Sequence, residues 1–319
     1  MSRQATIDVV YTWVDDTFPG YGEMLRQYAG DRRDTNPNRT RDNLELLKYS
    51  LRSLAANAPF VRNIYLLTCR PQVPAWLDTD HPRIRVVHHD EIMAPEILPT
   101  FNSFAIVSHL HRLPGLSERF LYLEDDMLIP AALSLDAFLA EDGRPLVFTR
   151  AKRTAVHAEL DPAKASPWNL ALATANAALT RDFGLARHAY IIHGPRLIDT
   201  PDFQAMIDRF AGEFSATRAS RFRANGNVPG EYLYPHYLMA TGKGVAASRA
   251  QSAKMEGYAS IENFLPWTWA QMKMLDWRRP QTITLNDSFG HRPNPAVVRF
   301  MRKTLNRWFP HPSPFEKPA

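Results

Sequence analysis

Apolar runs and polar breaks divide the chain into strand-like and helix-like segments. Ile7–Val14 (IDVVYTWV) is β-branched, aromatic and almost unbroken until it stops at Asp15-Asp16. Such a run fits a strand buried on both faces of a parallel sheet. Similar runs predict strands at Asn63–Thr68, Arg83–His88, Arg119–Leu123 and Thr282–Leu285, and Tyr190–Ile192 reads as a short one. From Asn43 to Ala56, Leu44, Leu47, Leu51 and Leu54 recur at helical spacing, with Asp42 as N-cap and Pro59 just beyond the end. Helices are also predicted at Phe104–Leu113, Phe203–Ser220 and Glu231–Ala240, whereas the polar, Arg/Asp/Asn-rich stretch 26–41 reads as loop. Strands separated by helical patterns of this length point to βαβ units on a parallel sheet, an α/β fold. The Ala-rich stretch 131–190 reads as a helical insertion or cover, which divides the chain into segments 1–130, 131–190, 191–291 and 292–319.

Length and composition narrow the class. At 319 residues, with 45% hydrophobic and 22% charged residues, the chain can bury a real core, and neither a disordered nor a membrane-embedded class fits. One cysteine, Cys69, precludes an internal disulfide, and residues 1–16 lack the apolar stretch of a secretory signal. The expected setting is cytoplasmic. The net charge of +5 is confined to one place: from Arg292 onward there are six basic residues against Glu316 alone, so the remainder sums to zero. A nucleic-acid binder would carry its basic residues as a patch on the folded domain, so no nucleic-acid partner is expected. Within that tail, Ala296–Phe309 sets Val297, Val298, Met301, Leu305 and Trp308 near one helical face and Arg299, Lys303 and Arg307 on another. This basic amphipathic helix has two readings: packing on the core with its basic face in water, which is favoured, or peripheral contact with the inner face of the cell membrane.

Carboxylates follow three apolar runs: Asp15-Asp16, Glu124-Asp125-Asp126 and Asn286-Asp287. Any one cluster could cap a helix or shape a turn. Three together at strand ends favour a shared site, because ligands of open α/β sheets bind outside the carboxyl ends of the strands. Hard cations such as Mg²⁺ take one or two carboxylates and complete their shell with phosphate oxygens and water, so a phosphate-bearing substrate is the natural partner. Arg39, Arg41, Arg52, Arg221 and Arg223 are candidates to meet those phosphates through the guanidinium fork, Arg223 foremost. His193, after an apolar strand, is a candidate general base. Zinc is not expected, since the eleven histidines show no i, i+4 pairing and Cys69 has no cysteine partner.

These residues resemble the Stealth family of sugar-phosphate transferases. Ile7–Asp15 is similar to its first region, and Arg41–Ser53, Leu98–Ser103 and Arg119–Asp126 to its second. His193-Gly194-Pro195 through Phe222-Arg223 to Tyr234 is similar to its third, and Thr284–Phe289 to its fourth. The resemblance implies a Rossmann-like, glycosyltransferase-A-related α/β core, with 1–130 as the nucleotide-sugar-binding half and 191–291 completing the catalytic domain. It implies transfer of a sugar-1-phosphate from a UDP-sugar to a hydroxyl of a glycan or lipid-linked glycan acceptor, with release of UMP, in capsular or cell-surface polysaccharide synthesis. It assigns Asp126, Asp287 and Asn286 to Mg²⁺ or Mn²⁺, and Arg41, Asn43, Arg52, Asn102 and Ser103 to the donor. Arg223 falls to the pyrophosphate, Asp15 joins the catalytic set, and His193 or Asp125 deprotonates the acceptor. Glu124 stands where the family usually has Asn, so an extra negative charge is expected beside the metal or donor. Two alternatives stay open: a metal-dependent glycosyltransferase releasing UDP, or a non-catalytic sugar-nucleotide-binding protein.

Overall fold

The computed structural model describes residues 6–30, 42–184, 188–289 and 292–318. The central sheet holds β1 (Ile7–Trp13), β2 (Val61–Thr68), β3 (Ile84–His88), β4 (Arg119–Glu124) and β9 (Arg196–Asp199) in the order β3-β2-β1-β4-β9. The first four run parallel, and β9 lies antiparallel against β4. The chain thus steps outward from β1 to β3 and returns to place β4 on the other side of β1. The α/β class and mainly parallel, Rossmann-like sheet agree with the sequence pattern. Alternation along β1 serves both faces: Val10 joins one buried cluster, while Val9, Tyr11 and Trp13 join the other.

A second sheet joins β11 (Glu256–Ile261), β12 (Thr282–Asp287) and β5 (Met127–Leu128). β5 begins immediately after Asp126, so Asp125-Asp126 form the link between the two sheets. β6 (Leu146–Val147) pairs with β10 (Val245–Ala246), and β7 (Thr149–Arg153) with β8 (Ala189–Ile191).

Helices α1 (Tyr21–Ala29), α2 (Leu46–Asn57), α3 (His89–Ile92) and α4 (Ser103–Val107) lie between the first four strands. α1 falls in part on the stretch read as loop. α2 starts three residues later than its leucine spacing predicts, because Glu45 takes a left-handed backbone (φ 56°). Glu45 rather than Asp42 is therefore the N-cap, although Asp42 Oδ1 still accepts from Leu46 N at 2.8 Å. α5 (Pro167–Phe183) places Leu172, Ala175, Ala178 and Leu179 in the first cluster. The single helix predicted over Phe203–Ser220 is two, α6 (Thr200–Arg209) and α7 (Ala211–Ala219), with Phe210 outside helical geometry at ψ 40°. Next come α8 (Gly230–Ala240), α9 (Arg249–Met255), α10 (Leu265–Arg278) and α11 (Pro295–Trp308).

α11 buries Val297, Met301 and Leu305 in a third cluster with Met272 and Leu275 of α10, and exposes Arg299, Arg302, Lys303 and Arg307. The packed reading of this helix therefore holds. Beyond it, Phe315 is fully buried in the second cluster, Asp78 N donates to its carbonyl at 2.9 Å, and Lys317 N donates to Trp76 O at 2.9 Å. Among the described residues no helix is long and apolar enough to cross a membrane.

Candidate active site

Thr12 pairs with Glu124 across β1 and β4, so the acids that follow both strands lie at one edge of the sheet, where the strand order reverses. Glu124, Asp126 and His193 converge there, each offering a ligand atom within 4.8 Å of the others. Glu124 and His193 keep 35 and 30% of their side-chain surface exposed, which leaves the cluster open to a ligand. His193 is held by four contacts. Its N–H donates to Glu256 Oε1 at 2.8 Å, its carbonyl accepts from Thr284 Oγ1 at 2.7 Å, its ring stacks on Tyr258, and Nε2 lies 3.3 Å from Glu124 Oε2. Glu256 is fixed in turn by Arg150.

The electrostatics are those of crowded acids. Burial raises the Asp126 carboxyl to about 7, His193 pulling it down against Glu124 and Asp287. Burial, then Asp126, Asp42 and Glu124, push Asp125 well above the carboxylate range. Burial likewise takes Asp42 to about 6. Burial opposes the charged form of Glu124 too, but His193, Arg196 and Arg223 outweigh it and hold Glu124 below its ordinary value. For His193, burial is outweighed by Glu124 and Asp126, so the imidazolium is favoured. Asp126 Oδ1 is buried without a hydrogen-bond partner. An unpartnered carboxylate oxygen beside a second carboxylate fits a divalent cation.

The other predicted residues divide. Arg223 and Ser103 meet: Arg223 Nη2 donates to Ser103 Oγ at 2.7 Å and the guanidinium lies 4.5 Å from the Phe104 ring centroid. Asn43 Nδ2 donates to Asp287 Oδ2 at 2.7 Å, and Phe289 N to Asp287 Oδ1 at 3.1 Å, so these contacts occupy both oxygens of Asp287. Asn286 Oδ1 accepts from Ser288 Oγ at 3.0 Å. Asp15 Oδ1 caps its own turn, accepting from Thr17 N and Oγ1 at 2.9 and 2.8 Å. Asn102 is fully buried. Its amide donates to Thr217 O, Ser220 O and Asn227 Oδ1, and its Oδ1 caps α4 at Phe104 N. The Arg52 fork engages Glu316 at 2.8 and 2.7 Å and so ties α2 to the region after α11, away from the acid cluster. Arg41 lies outside the described residues.

Two further glutamates carry no signal in the sequence. Glu231, in the first turn of α8, is 7% exposed, its Oε2 lacks a partner, and burial together with Glu124 raises its carboxyl to about 7. Half-buried beside it, Arg196 donates Nε to Glu231 O at 3.3 Å and its other nitrogens to Gly194 O and Ile192 O. An acid in the first turn of a helix ordinarily complements the helix dipole, so the sequence gives no signal for this role. Glu256 opens a strand that no apolar run announced.

Three family descriptions match in order: Stealth protein CR2, conserved region 2, at residues 39–147; CR3, conserved region 3, at 192–240; and CR4, conserved region 4, at 273–319. Ile7–Asp15 lies outside these spans. An exopolysaccharide phosphotransferase of Streptomyces coelicolor is 34% identical over 328 residues, covering 99% of this chain and 52% of the relative. The capsular polysaccharide phosphotransferase SacB of Neisseria meningitidis serogroup A is 30% identical, covering 98% of this chain and 57% of the relative. The chain thus spans about half the length of these curated relatives. Among solved structures, the galactosyltransferase LgtC in complex with donor and acceptor sugar analogs aligns with 12% identity and a TM-score of 0.45, covering 94% of this chain and 96% of that one.

Proposed function

Since this chain belongs to the Stealth family, we propose that it transfers a sugar-1-phosphate from a UDP-sugar to a hydroxyl of a glycan or lipid-linked glycan acceptor, in building capsular or other cell-surface polysaccharide. The observation that carries this reading is the convergence of Glu124, Asp126 and His193 at the sheet's switch point. In the reaction the acceptor oxygen bonds to the β-phosphorus. The bond from that phosphorus to the oxygen bridging the two phosphates breaks, UMP leaves with the electron pair, and the sugar–oxygen bond stays intact. The acceptor proton passes to neutral His193, and Glu124, 3.3 Å from Nε2, stabilises the imidazolium that forms. That same charge pair explains why His193 binds a proton more readily than a free imidazole. Arg223, with its fork anchored by Ser103, meets the negative charge that spreads over the phosphoryl oxygens. Glu124 and Asp126 would hold Mg²⁺ or Mn²⁺, whose charge neutralises pyrophosphate oxygens when bound.

Identification of the released nucleotide across a panel of UDP-sugars tests this reading. UMP release that is abolished by EDTA and restored by Mg²⁺ or Mn²⁺ is expected. Release of UDP would establish glycosyl transfer instead, full activity in EDTA would remove the metal, and binding without turnover would leave a sugar-nucleotide-binding protein.

A further inference from the structure

Of the seven large hydrophobic side chains exposed among the described residues, five belong to one element: Phe264, the N-cap of α10, and Trp267, Trp269, Met274 and Trp277 within it. Trp277 is 83% exposed, Phe264 62%, and the others about half. The opposite face of the helix is already used. Thr268, Gln271, Met272 and Leu275 are buried, and Met272 and Leu275 belong to the third cluster. The exposed aromatics are therefore surplus to folding, and leaving so much apolar surface in water marks an interaction site.

The charges around this face identify its occupant. Lys273 lies over the Trp269 ring, and Arg278 and Arg279 follow at the carboxyl end, all three exposed. The acid within the helix, Asp276, is neutralised, since it accepts from Arg307 Nη2 and Trp308 Nε1 at 2.8 Å each. Glu262, just ahead of Phe264, is exposed and acidic. The adjoining α11 exposes Arg299, Arg302 and Lys303. Tryptophan, phenylalanine and methionine among lysine and arginine is the composition of a surface that lies in the interfacial layer of an anionic bilayer. A sugar-stacking platform would need its rings side by side in one plane. Here, at about 100° per residue, Trp269, Trp277 and Trp267 fan over roughly 160° of helix circumference, a convex surface suited to burial in a soft medium.

We propose that α10 docks the protein on an anionic membrane surface, with Phe264, Trp267, Trp269, Met274 and Trp277 entering the interface and Lys273, Arg278 and Arg279 meeting lipid phosphates. This is a different element from α11, whose apolar face is buried in the core. Ile261, three residues before Phe264, pairs with Asp287, so docking through α10 holds the acid cluster's side of the second sheet close to the lipid headgroups. Vesicle binding is read without substrate, so its failure is distinguishable from failure of the proposed reaction.

Co-sedimentation of the full chain with phosphatidylcholine vesicles, with and without phosphatidylglycerol, tests it, together with quenching of tryptophan emission by brominated lipid. Binding only to the phosphatidylglycerol vesicles, weakened by salt, is expected. W267A/W277A and K273Q/R278Q/R279Q should each lower partitioning by about tenfold or more with an unchanged circular-dichroism spectrum. Undiminished binding of W267A/W277A, or no vesicle binding by the wild type, overturns the proposal. Two results would reassign the face as well: a Trp-dependent emission shift with dextran but not vesicles points to sugar stacking. Self-association abolished by W267A/W277A, without vesicle binding, points to a second copy of the chain.

Discussion

Asp8 lies near the start of β1, and Asp126 lies two residues past the end of the neighbouring β4, so the same side chain meets opposite ends of one sheet. Asp8 is fully buried and fully engaged. It accepts from Arg62 Nε and Nη2, from Asn63 N and Nδ2, and from Ser117 N, all between 2.7 and 3.1 Å. Burial alone would raise its carboxyl, but these donors hold it below the ordinary value. Asp126 faces Glu124 and Asp287 instead, and one of its oxygens has no partner. A saturated carboxylate stabilises a fold. A crowded, under-satisfied one costs stability and marks a candidate functional site.

The sharpest way to break this contrast is to neutralise both acids. Asp126→Asn should lower UMP release on the order of 10³-fold while the melting temperature holds or rises, because a repelling charge is removed. A variant that keeps its turnover would remove Asp126 from the site. Asp8→Asn should do the reverse. Arg62 and the Asn63 and Ser117 amides lose an anion, and urea unfolding should report a loss of about 2–3 kcal/mol with turnover per folded molecule unchanged. Because the folded pKa of Asp8 is depressed, its contribution is fully present above the unfolded value and is lost as pH falls through the folded one, below 3.8. The acid limb of the wild-type stability curve should therefore flatten in Asp8→Asn.

Arg223 tests the cationic side of the site. Arg223→Lys keeps the charge but loses the fork, and should reduce turnover on the order of 10²-fold in a folded protein. Near-wild-type turnover would place phosphoryl stabilisation elsewhere. The smallest effect belongs to Glu231. Its folded carboxyl titrates at about 7 against an ordinary 4.5, so the stability linked to it is complete below the lower value and declines as pH rises toward 7. Glu231→Gln should flatten that decline in melting temperature between pH 5 and 7. An unchanged slope would mean that Glu231 is solvated in the free protein.

Strands with long apolar runs were legible because β1 to β4 are buried by helices on both faces, which suppresses the alternation that half-exposed strands need. β11, EGYASI, reads poorly for the same physical reason in reverse: Tyr258 is exposed and Gly257 is closely covered by Pro280 and Leu275, so its sequence reflects neighbours far along the chain. In the site, Asp126, His193 and Arg223 were legible as polar residues following apolar runs or as motif residues. Arg52 and Asn102 carried the same motif signal, but the partners that engage them, Glu316 and the carbonyls of Thr217 and Ser220, are set by tertiary packing alone. Glu124, noticed in the sequence as a departure from the family pattern, is the residue that faces His193.

Phe315 and Glu316 complete a structure begun much earlier, the Arg52–Glu316 pair closing a separation of 264 positions. The cluster beneath β1 and β2 therefore lacks Phe315, and α2 its anionic tether, until nearly the whole described chain has been made. On a ribosome, where synthesis proceeds at roughly 5–20 residues per second, the first βαβ units must wait many seconds with that flank open. Contacts of such long range also slow folding, since loop-closure entropy is met before they form. A nascent chain halted before Phe315 should therefore expose that flank of the second cluster and be a substrate for chaperones.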